Sequence, residues 1–173
     1  MERNAYFAGG CFWCVTPVFR SRKGVLSVTS GYCGGDETDP TYEAVKSQTT
    51  GHRETVRIVY DDALISFDRL LAIFLDNVDP FDGGGQFIDR GRSYTLAVYF
   101  ADETEKEAAC RALDALAQSA GRTPCVAVEP YKRFYPAEEF HQDYFLKNPE
   151  AFAEELRTSG RAPYRPSPAP GSD

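Results

Sequence analysis

Apolar residues recur at two spacings along the chain, and each spacing predicts a different element. In the segment 54–60, Val56, Ile58 and Tyr60 occupy alternate positions, which is typical of a strand with one buried face. After Ser66, a good helix N-cap, apolar residues instead follow the i, i+3, i+4, i+7 and i+8 spacing of an amphipathic helix. These residues are Phe67, Leu70, Leu71, Phe74 and Leu75.

Other segments repeat the two patterns. Short apolar runs predict further strands at 5–8, 25–30, 94–100 and 125–128. Helical turns are expected within 40–48, 137–148 and 150–157. Thr104 and Glu107 have the spacing of a capping box, which predicts a long helix that ends before Gly121. Because strands and helices alternate, the predicted fold class is α/β or α+β, with helices packed on a single sheet.

Two glycine-rich segments interrupt these patterns. The segment 31–35 predicts a mobile turn, and the segment 81–91 is too long for a simple connector, so we expect it to carry function. From residue 159 onward, four prolines and almost no apolar residue predict a disordered tail. We therefore expect one folded domain over 1–158 and a tail over 159–173.

Composition narrows the class of partner. The chain has 173 residues, of which 26 are acidic and 19 basic, and the formal charge of −7 argues against nucleic-acid binding. No apolar run approaches the roughly 18 residues of a membrane span. The first residues also lack the apolar stretch of a signal peptide, so we expect a cytoplasmic protein.

The segment 9–14, with the letters GGCFWC, is the main candidate for chemistry. Its two cysteines, Cys11 and Cys14, are three residues apart and can form a disulfide or share a metal. A strand, a glycine turn and a helix would place Cys11 at a helix N-terminus, where unpaired N–H groups and the helix dipole favour an anion. We therefore expect a lowered pKa and a reactive thiol at Cys11. Cys110, in a predicted helix, and Cys125, at the start of a predicted strand, are interpreted as structural.

Seven short motifs stand in order along most of the chain. They are GCFW at 10–13, GYCGG at 31–35, PTY at 40–42, TGHRE at 50–54, GQFIDRG at 85–91, FYPAE at 134–138 and HQ at 141–142. Together, from about residue 6 to 152, they resemble the A-type peptide methionine sulfoxide reductases. The resemblance implies a two-layer α/β sandwich around a ferredoxin-like core, so that 1–158 would be a catalytic reductase domain.

The resemblance also implies an activity and a site. The family reduces the S-epimer of methionine sulfoxide, free or in proteins, with no metal or nucleotide, and an external thiol reductant such as thioredoxin recycles it. Cys11 would be the nucleophile, and Phe12 and Trp13 would form the pocket for the substrate methyl group. Four residues would surround the sulfoxide oxygen: Tyr42, Glu54, Asp89 and Tyr94. The family further suggests a monomer.

The residue types suit that chemistry. Glu54 precedes the apolar face of a predicted strand, so burial would raise its pKa and keep a proton available for the leaving oxygen. Tyrosine hydroxyls can hydrogen-bond that oxygen. The products would be methionine and a sulfenic acid on Cys11. For Asp89, both a direct proton role and an orienting role in its loop stay open.

The chain departs from the family in its recycling cysteines. Many relatives carry cysteines near the C-terminus, but no cysteine follows Cys125, and Lys46 stands at another position that is often cysteine. Cys14, where many relatives have glycine, is one helical turn from Cys11 and is the favoured resolving thiol. Cys33, in the predicted mobile turn, is the alternative.

Two other functions compete with the reductase. A thioredoxin-type thiol–disulfide oxidoreductase also uses a Cys-x-x-Cys pair at a helix N-terminus. That hypothesis leaves the glycine-rich segment 81–91 unexplained. A zinc-binding module could use Cys11, Cys14, His52 and His141, but the two histidines are single and far apart in sequence.

Overall fold

The computed structural model describes residues 1–159 and 161, which form a six-stranded sheet covered by helices. The strands are β1 (Glu2–Gly9), β2 (Val25–Cys33), β3 (Arg53–Asp61), β4 (Gly85–Gln86), β5 (Asp89–Arg90), β6 (Leu96–Phe100), β7 (Val126–Pro130) and β8 (Phe134–Pro136). The α-helices are α1 (Phe12–Arg20), α2 (Tyr42–Lys46), α3 (Phe67–Asp76), α4 (Glu103–Ala120), α5 (Tyr144–Lys147) and α6 (Pro149–Ser159). Two 3₁₀-helices span Arg92–Tyr94 and Glu139–His141.

The sheet has the order β7-β6-β1-β3-β2-β8, and β4 and β5 form a separate small hairpin. Neighbouring strands are antiparallel except β6 and β7, which are parallel and joined through α4. The main core lies between one face of the sheet and helices α1, α3 and α4. The predicted mixed α/β fold with helices on a single sheet is confirmed.

Alternation along β3 determines which side chains enter the main core. Val56, Ile58 and Tyr60 are at most 1 % exposed and face the helices, as their spacing predicted. Ser66 caps α3 by accepting the N–H of Arg69 at 3.1 Å, which confirms the predicted helix start. None of the described helices is both long and apolar enough to cross a membrane.

Strand β2 is longer than predicted. Gly31, Tyr32 and Cys33 continue the strand rather than forming a mobile turn, because β8 pairs with all three. Gly31 is required there, since a side chain would overlap the ring of Phe134 and the carbonyl of Tyr135. Strand β8 was not predicted, because three residues ending in proline carry too little pattern.

The start of α4 also differs from the prediction. The N-cap is Asp102, whose carboxylate accepts the N–H of Glu105 at 2.9 Å, so Thr104 and Glu107 do not form the cap. Glu105 in turn accepts the N–H of Ala101 at 2.8 Å. Asp102, two residues before Thr104, forms the cap because its short side chain reaches the free N–H groups of the first turn.

The chain after β8 forms the helix predicted over 150–157 but not the one predicted over 137–148. The segment 137–148 holds a 3₁₀-turn and the short α5, separated by Asp143 with a φ of 51°. Pro149 begins α6 instead of separating two helices, which suits its fixed φ and missing N–H. The predicted tail lies outside the described residues, apart from Ser159, which ends α6, and Arg161.

The cap of α4 gives a test of the fold. Asp102→Ala should lower the free energy of unfolding by about 1 kcal/mol, because the N–H of Glu105 loses its acceptor. Thr104→Ala is the matched control and should change stability by less than about 0.5 kcal/mol. Urea unfolding of both variants measures this, and a larger loss in Thr104→Ala would contradict the assigned cap.

Candidate active site

A glycine turn carries the chain from β1 into α1. Gly10 has a φ of 86°, and a side chain there would also press on Gln86. The turn makes Cys11 the N-cap of α1, as predicted. The carbonyl of Cys11 accepts the N–H of Cys14 at 3.0 Å, so both cysteines lie in one helical turn.

Both thiols are buried under the C-terminal helix. Cys11 is 6 % exposed and Cys14 is 5 % exposed, and the two pack against Phe152 of α6. Trp13 and Leu156 border the same cluster. The cysteine pair is therefore shielded from solvent on the side of α6.

The predicted lowering of the Cys11 pKa is wrong. Contact with the thiol of Cys14 and burial raise the pKa of Cys11 well above its ordinary value, and the charges of Glu54 and Asp89 add to this. The same contact lowers the pKa of Cys14.

Glu54 provides a neutral carboxyl inside the site. It has the same strand parity as Val56, faces the helices and is 1 % exposed. Burial raises the pKa of Glu54 to about 8, although the N–H of Phe12 partly opposes this. Oε1 accepts that N–H at 3.1 Å, whereas Oε2 is buried and has no hydrogen-bond partner among the described residues. The carboxyl is therefore protonated at neutral pH, as predicted, and Oε2 is free to donate a proton.

Two tyrosines and a second carboxyl surround Glu54. Tyr42 begins α2 and is half-buried, and Tyr94 is buried at the end of a 3₁₀-turn. Burial, followed by the charge of Glu54, raises the pKa of both hydroxyls, so both stay protonated donors. Burial also raises the pKa of Asp89 on the β4–β5 hairpin. Asp89 and Cys11 both act electrostatically on the two tyrosines, so these predicted residues share one site.

Aromatic rings flank the first turn of α1. Phe12 is 1 % exposed, belongs to the main core and packs against the rings of Tyr32 and Tyr42. Trp13 is half-buried and stacks on Tyr144 with ring centroids 3.9 Å apart. The two predicted pocket residues therefore form an apolar wall beside the cysteines.

Glu138 and His141, for which the sequence predicted no catalytic role, hydrogen-bond the aromatic residues of this wall. Glu138 accepts the hydroxyl of Tyr32 at 2.9 Å and the N–H of Tyr42 at 3.2 Å. His141 is buried, and its Nδ1 accepts the indole N–H of Trp13 at 3.1 Å. Both residues stand in the motifs FYPAE and HQ, but Glu138 reaches the site through the unpredicted pairing of β2 with β8.

The other cysteines lie away from the pair. Cys33 is fully buried in a second core cluster with Tyr99, on the face of the sheet opposite to that of Tyr32. Cys110 and Cys125 are exposed, which corrects their interpretation as buried structural residues.

The zinc alternative finds no support in the arrangement of side chains. Within residues 1–159 and 161, no group of three or more His, Cys, Asp or Glu could hold a metal ion. His52 accepts the N–H of Gly35 at 3.2 Å, and its other ring nitrogen lies 2.8 Å from the carbonyl oxygen of Glu37.

Comparisons with known proteins agree on one family. The family model described as peptide methionine sulfoxide reductase matches residues 3–166. The peptide methionine sulfoxide reductase MsrA of Streptococcus equi subsp. equi (strain 4047) is 47 % identical over 157 residues, which cover 89 % of this chain and 92 % of the relative.

Solved structures share the fold. Reduced Mxr1 from Saccharomyces cerevisiae has a TM-score of 0.81 at 25 % identity, with 86 % of this chain and 87 % of that chain covered. Methionine sulfoxide reductase A of Corynebacterium diphtheriae has a TM-score of 0.78 at 29 % identity, covering 86 % and 76 %. A further structure holds Mxr1 in complex with Trx2; at a TM-score of 0.57 and 19 % identity it shows likeness of fold alone.

The neutral carboxyl of Glu54 predicts a pH-dependent cost to stability. Its pKa is about 8 in the folded protein and about 4.3 in an unfolded chain. The wild-type protein therefore loses stability as pH rises through this interval, by up to about 5 kcal/mol. Gln cannot ionise, so Glu54→Gln should gain thermal stability relative to wild type between pH 5 and pH 9.

Calorimetric Tm values across that pH range test this expectation. Glu43→Gln is the matched control, because Glu43 is exposed on α2. Equal pH dependence in wild type and Glu54→Gln would show that the buried carboxyl is already ionised.

Proposed function

The chain belongs to the peptide methionine sulfoxide reductases, and we propose that it reduces the S-epimer of methionine sulfoxide, free or in proteins, to methionine. The observation that carries the mechanism is the protonated carboxyl of Glu54. Its Oε1 accepts the N–H of Phe12, and its Oε2 has no hydrogen-bond partner among the described residues. It supplies the proton that the sulfoxide oxygen needs.

The first step joins Cys11 to the substrate sulfur. As the thiol of Cys11 loses its proton, its sulfur attacks the sulfoxide sulfur, and the carboxyl of Glu54 gives its proton to the oxygen. The oxygen then bonds to the Cys11 sulfur as its bond to the substrate sulfur and the transient sulfur–sulfur bond both break, so the products are methionine and a sulfenic acid. The thiol proton restores the neutral Glu54. The raised pKa of Cys11 requires that deprotonation accompany substrate binding rather than precede it.

Three further groups stabilise the oxygen as charge develops on it. The hydroxyls of Tyr42 and Tyr94 are protonated donors held next to Glu54. Asp89 orients the site from the β4–β5 hairpin, where burial raises its pKa.

Phe12 and Trp13 bind the methyl group of the substrate. The hydrogen bond from Trp13 to His141 and the stack on Tyr144 fix the plane of the indole ring. Phe12 is packed into the core and cannot swing away. A rigid apolar wall beside Cys11 selects one arrangement of methyl group and oxygen around the chiral sulfur.

Cys14 resolves the sulfenic acid. It lies one turn from Cys11 on the same helix, whereas Cys33 faces the opposite side of the sheet within a closed cluster. A short disulfide then forms, and a thioredoxin-like thiol reduces it by exchange. Because both thiols lie beneath Phe152, α6 must uncover this disulfide before the reductant can reach it.

We further propose a cytoplasmic monomer that needs an external thiol reductant and no bound cofactor. Its substrates are oxidised proteins, peptides and free methionine sulfoxide. The charge of −7 disfavours nucleic-acid partners. We propose no membrane partner. Family membership favours this function over the thioredoxin-type oxidoreductase.

An assay with both epimers of a methionine sulfoxide peptide tests the function. With dithiothreitol and then with thioredoxin, the S-epimer should be reduced and the R-epimer left intact. Cys11→Ser should abolish turnover with either reductant, and Glu54→Gln should lower kcat about 100-fold or more, the usual contribution of a general acid. Reduction of both epimers at similar rates would overturn the proposal.

Recycling gives a separate prediction. Cys14→Ser should still form one methionine per protein molecule, stall with thioredoxin, and turn over more readily with dithiothreitol. Cys33→Ser is the control and should behave like wild type, because its side chain lies on the other face of the sheet. Peptide mapping of the oxidised protein completes the test. A Cys11–Cys33 disulfide, or a full rate with thioredoxin in Cys14→Ser, would contradict the proposal that Cys14 resolves the sulfenic acid.

A further inference from the structure

Arg161 lies past the end of α6 and contacts three separate segments of the chain, at Gly9, Asn77 and Phe87. Its guanidinium donates from Nη2 to the carbonyl of Gly9 at 3.0 Å and from Nη1 to the carbonyl of Asn77 at 3.1 Å. The same group lies over the ring of Phe87, 4.9 Å from its centroid. A side chain at Gly10 would come within 3.0 Å of Nη2, so Arg161 abuts the turn that presents Cys11.

A second contact joins the same segment to the hairpin that carries Asp89. The carbonyl of Ser159, the last residue of α6, accepts the N–H of Ile88 at 3.1 Å. Ile88 lies between Phe87 and Asp89, in the turn of the β4–β5 hairpin. The end of α6 and Arg161 thus hold this hairpin and the Gly9–Gly10 turn in one arrangement around the cysteines.

Neighbouring groups shift the pKa of Cys14 in opposite directions. Contact with Cys11 and the guanidinium of Arg161 lower the pKa of Cys14, whereas burial, Asp89 on β5 and Glu155 on α6 raise it. Arg161 is therefore a cation placed among carboxylates that oppose a thiolate at Cys14.

We propose that Arg161 is a positioning residue for the recycling step, in which Cys14 attacks the oxidised Cys11. This inference rests on the proposed role of Cys14. In the step, the thiolate of Cys14 forms a bond to the sulfur of the Cys11 sulfenic acid, the S–O bond breaks, and the hydroxide leaves as water after taking a proton from solvent. Arg161 favours the attacking thiolate and fixes the turn from which Cys11 meets it.

Single-turnover kinetics separate this step from the first. Reduced protein is mixed with a stoichiometric amount of the S-sulfoxide peptide and quenched in acid, and methionine and free thiols are counted over time. In Arg161→Met, methionine formation should slow less than thiol loss, because Cys14 takes no part in the first step. The pH midpoint of thiol loss should rise by about one unit. The rate of thiol loss at neutral pH should fall about threefold, because a thiol of higher pKa is less ionised but more nucleophilic.

Two variants make the result specific. Arg161→Lys keeps the charge and should return the pH midpoint close to that of wild type. Arg157→Met removes a cation from α6 that pairs with Glu154 at the surface, and should match wild type in both steps.

The outcomes distinguish the two proposals. An unchanged pH midpoint in Arg161→Met, or equal slowing of methionine formation and thiol loss, would overturn the role of Arg161 while leaving that of Cys14. If peptide mapping of oxidised wild-type protein finds no Cys11–Cys14 disulfide, the proposed roles of Cys14 and Arg161 are both contradicted.

Discussion

The hydrogen bond between the carboxyl of Glu54 and the N–H of Phe12 is the contact on which the site depends. It crosses from the start of β3 to the first turn of α1. It also fixes one carboxyl oxygen and leaves the other without a partner among the described residues. A single contact therefore links the acid to the helix that presents the nucleophile.

Sheet topology explains why this contact forms. Strand β1 lies beside β3 in antiparallel register, with Phe7 opposite Val56, so the end of β1 meets the start of β3. Tyr32 of β2 pairs directly with Glu54 and faces the same layer of helices. The glycine turn after β1 then places the first turn of α1 beside the start of β3. The catalytic carboxyl is buried because it occupies a core-facing position of an otherwise apolar strand face.

The parts of this arrangement that follow local rules could be predicted from the sequence. Alternation along β3, the Ser66 cap and the glycine turn before Cys11 all depend on near neighbours, and the parity of Glu54 with Val56 indicated its burial. Two failures depend on distant contacts: strand β8 requires its pairing with β2, and the raised pKa of Cys11 depends partly on burial under α6. The cap at Asp102 is local, but Thr104 offered a competing pattern two residues later. The contacts of Arg161 have no sequence pattern at all.

The central claim is that Glu54 holds a proton inside the folded protein at neutral pH. Infrared difference spectra between wild type and Glu54→Gln, recorded from pH 5 to pH 10, measure this directly through the C=O stretch of a protonated carboxyl. The structure predicts a carboxylic-acid band that is lost with a midpoint near pH 8. Its absence at pH 6, with a carboxylate band in its place, would contradict the account.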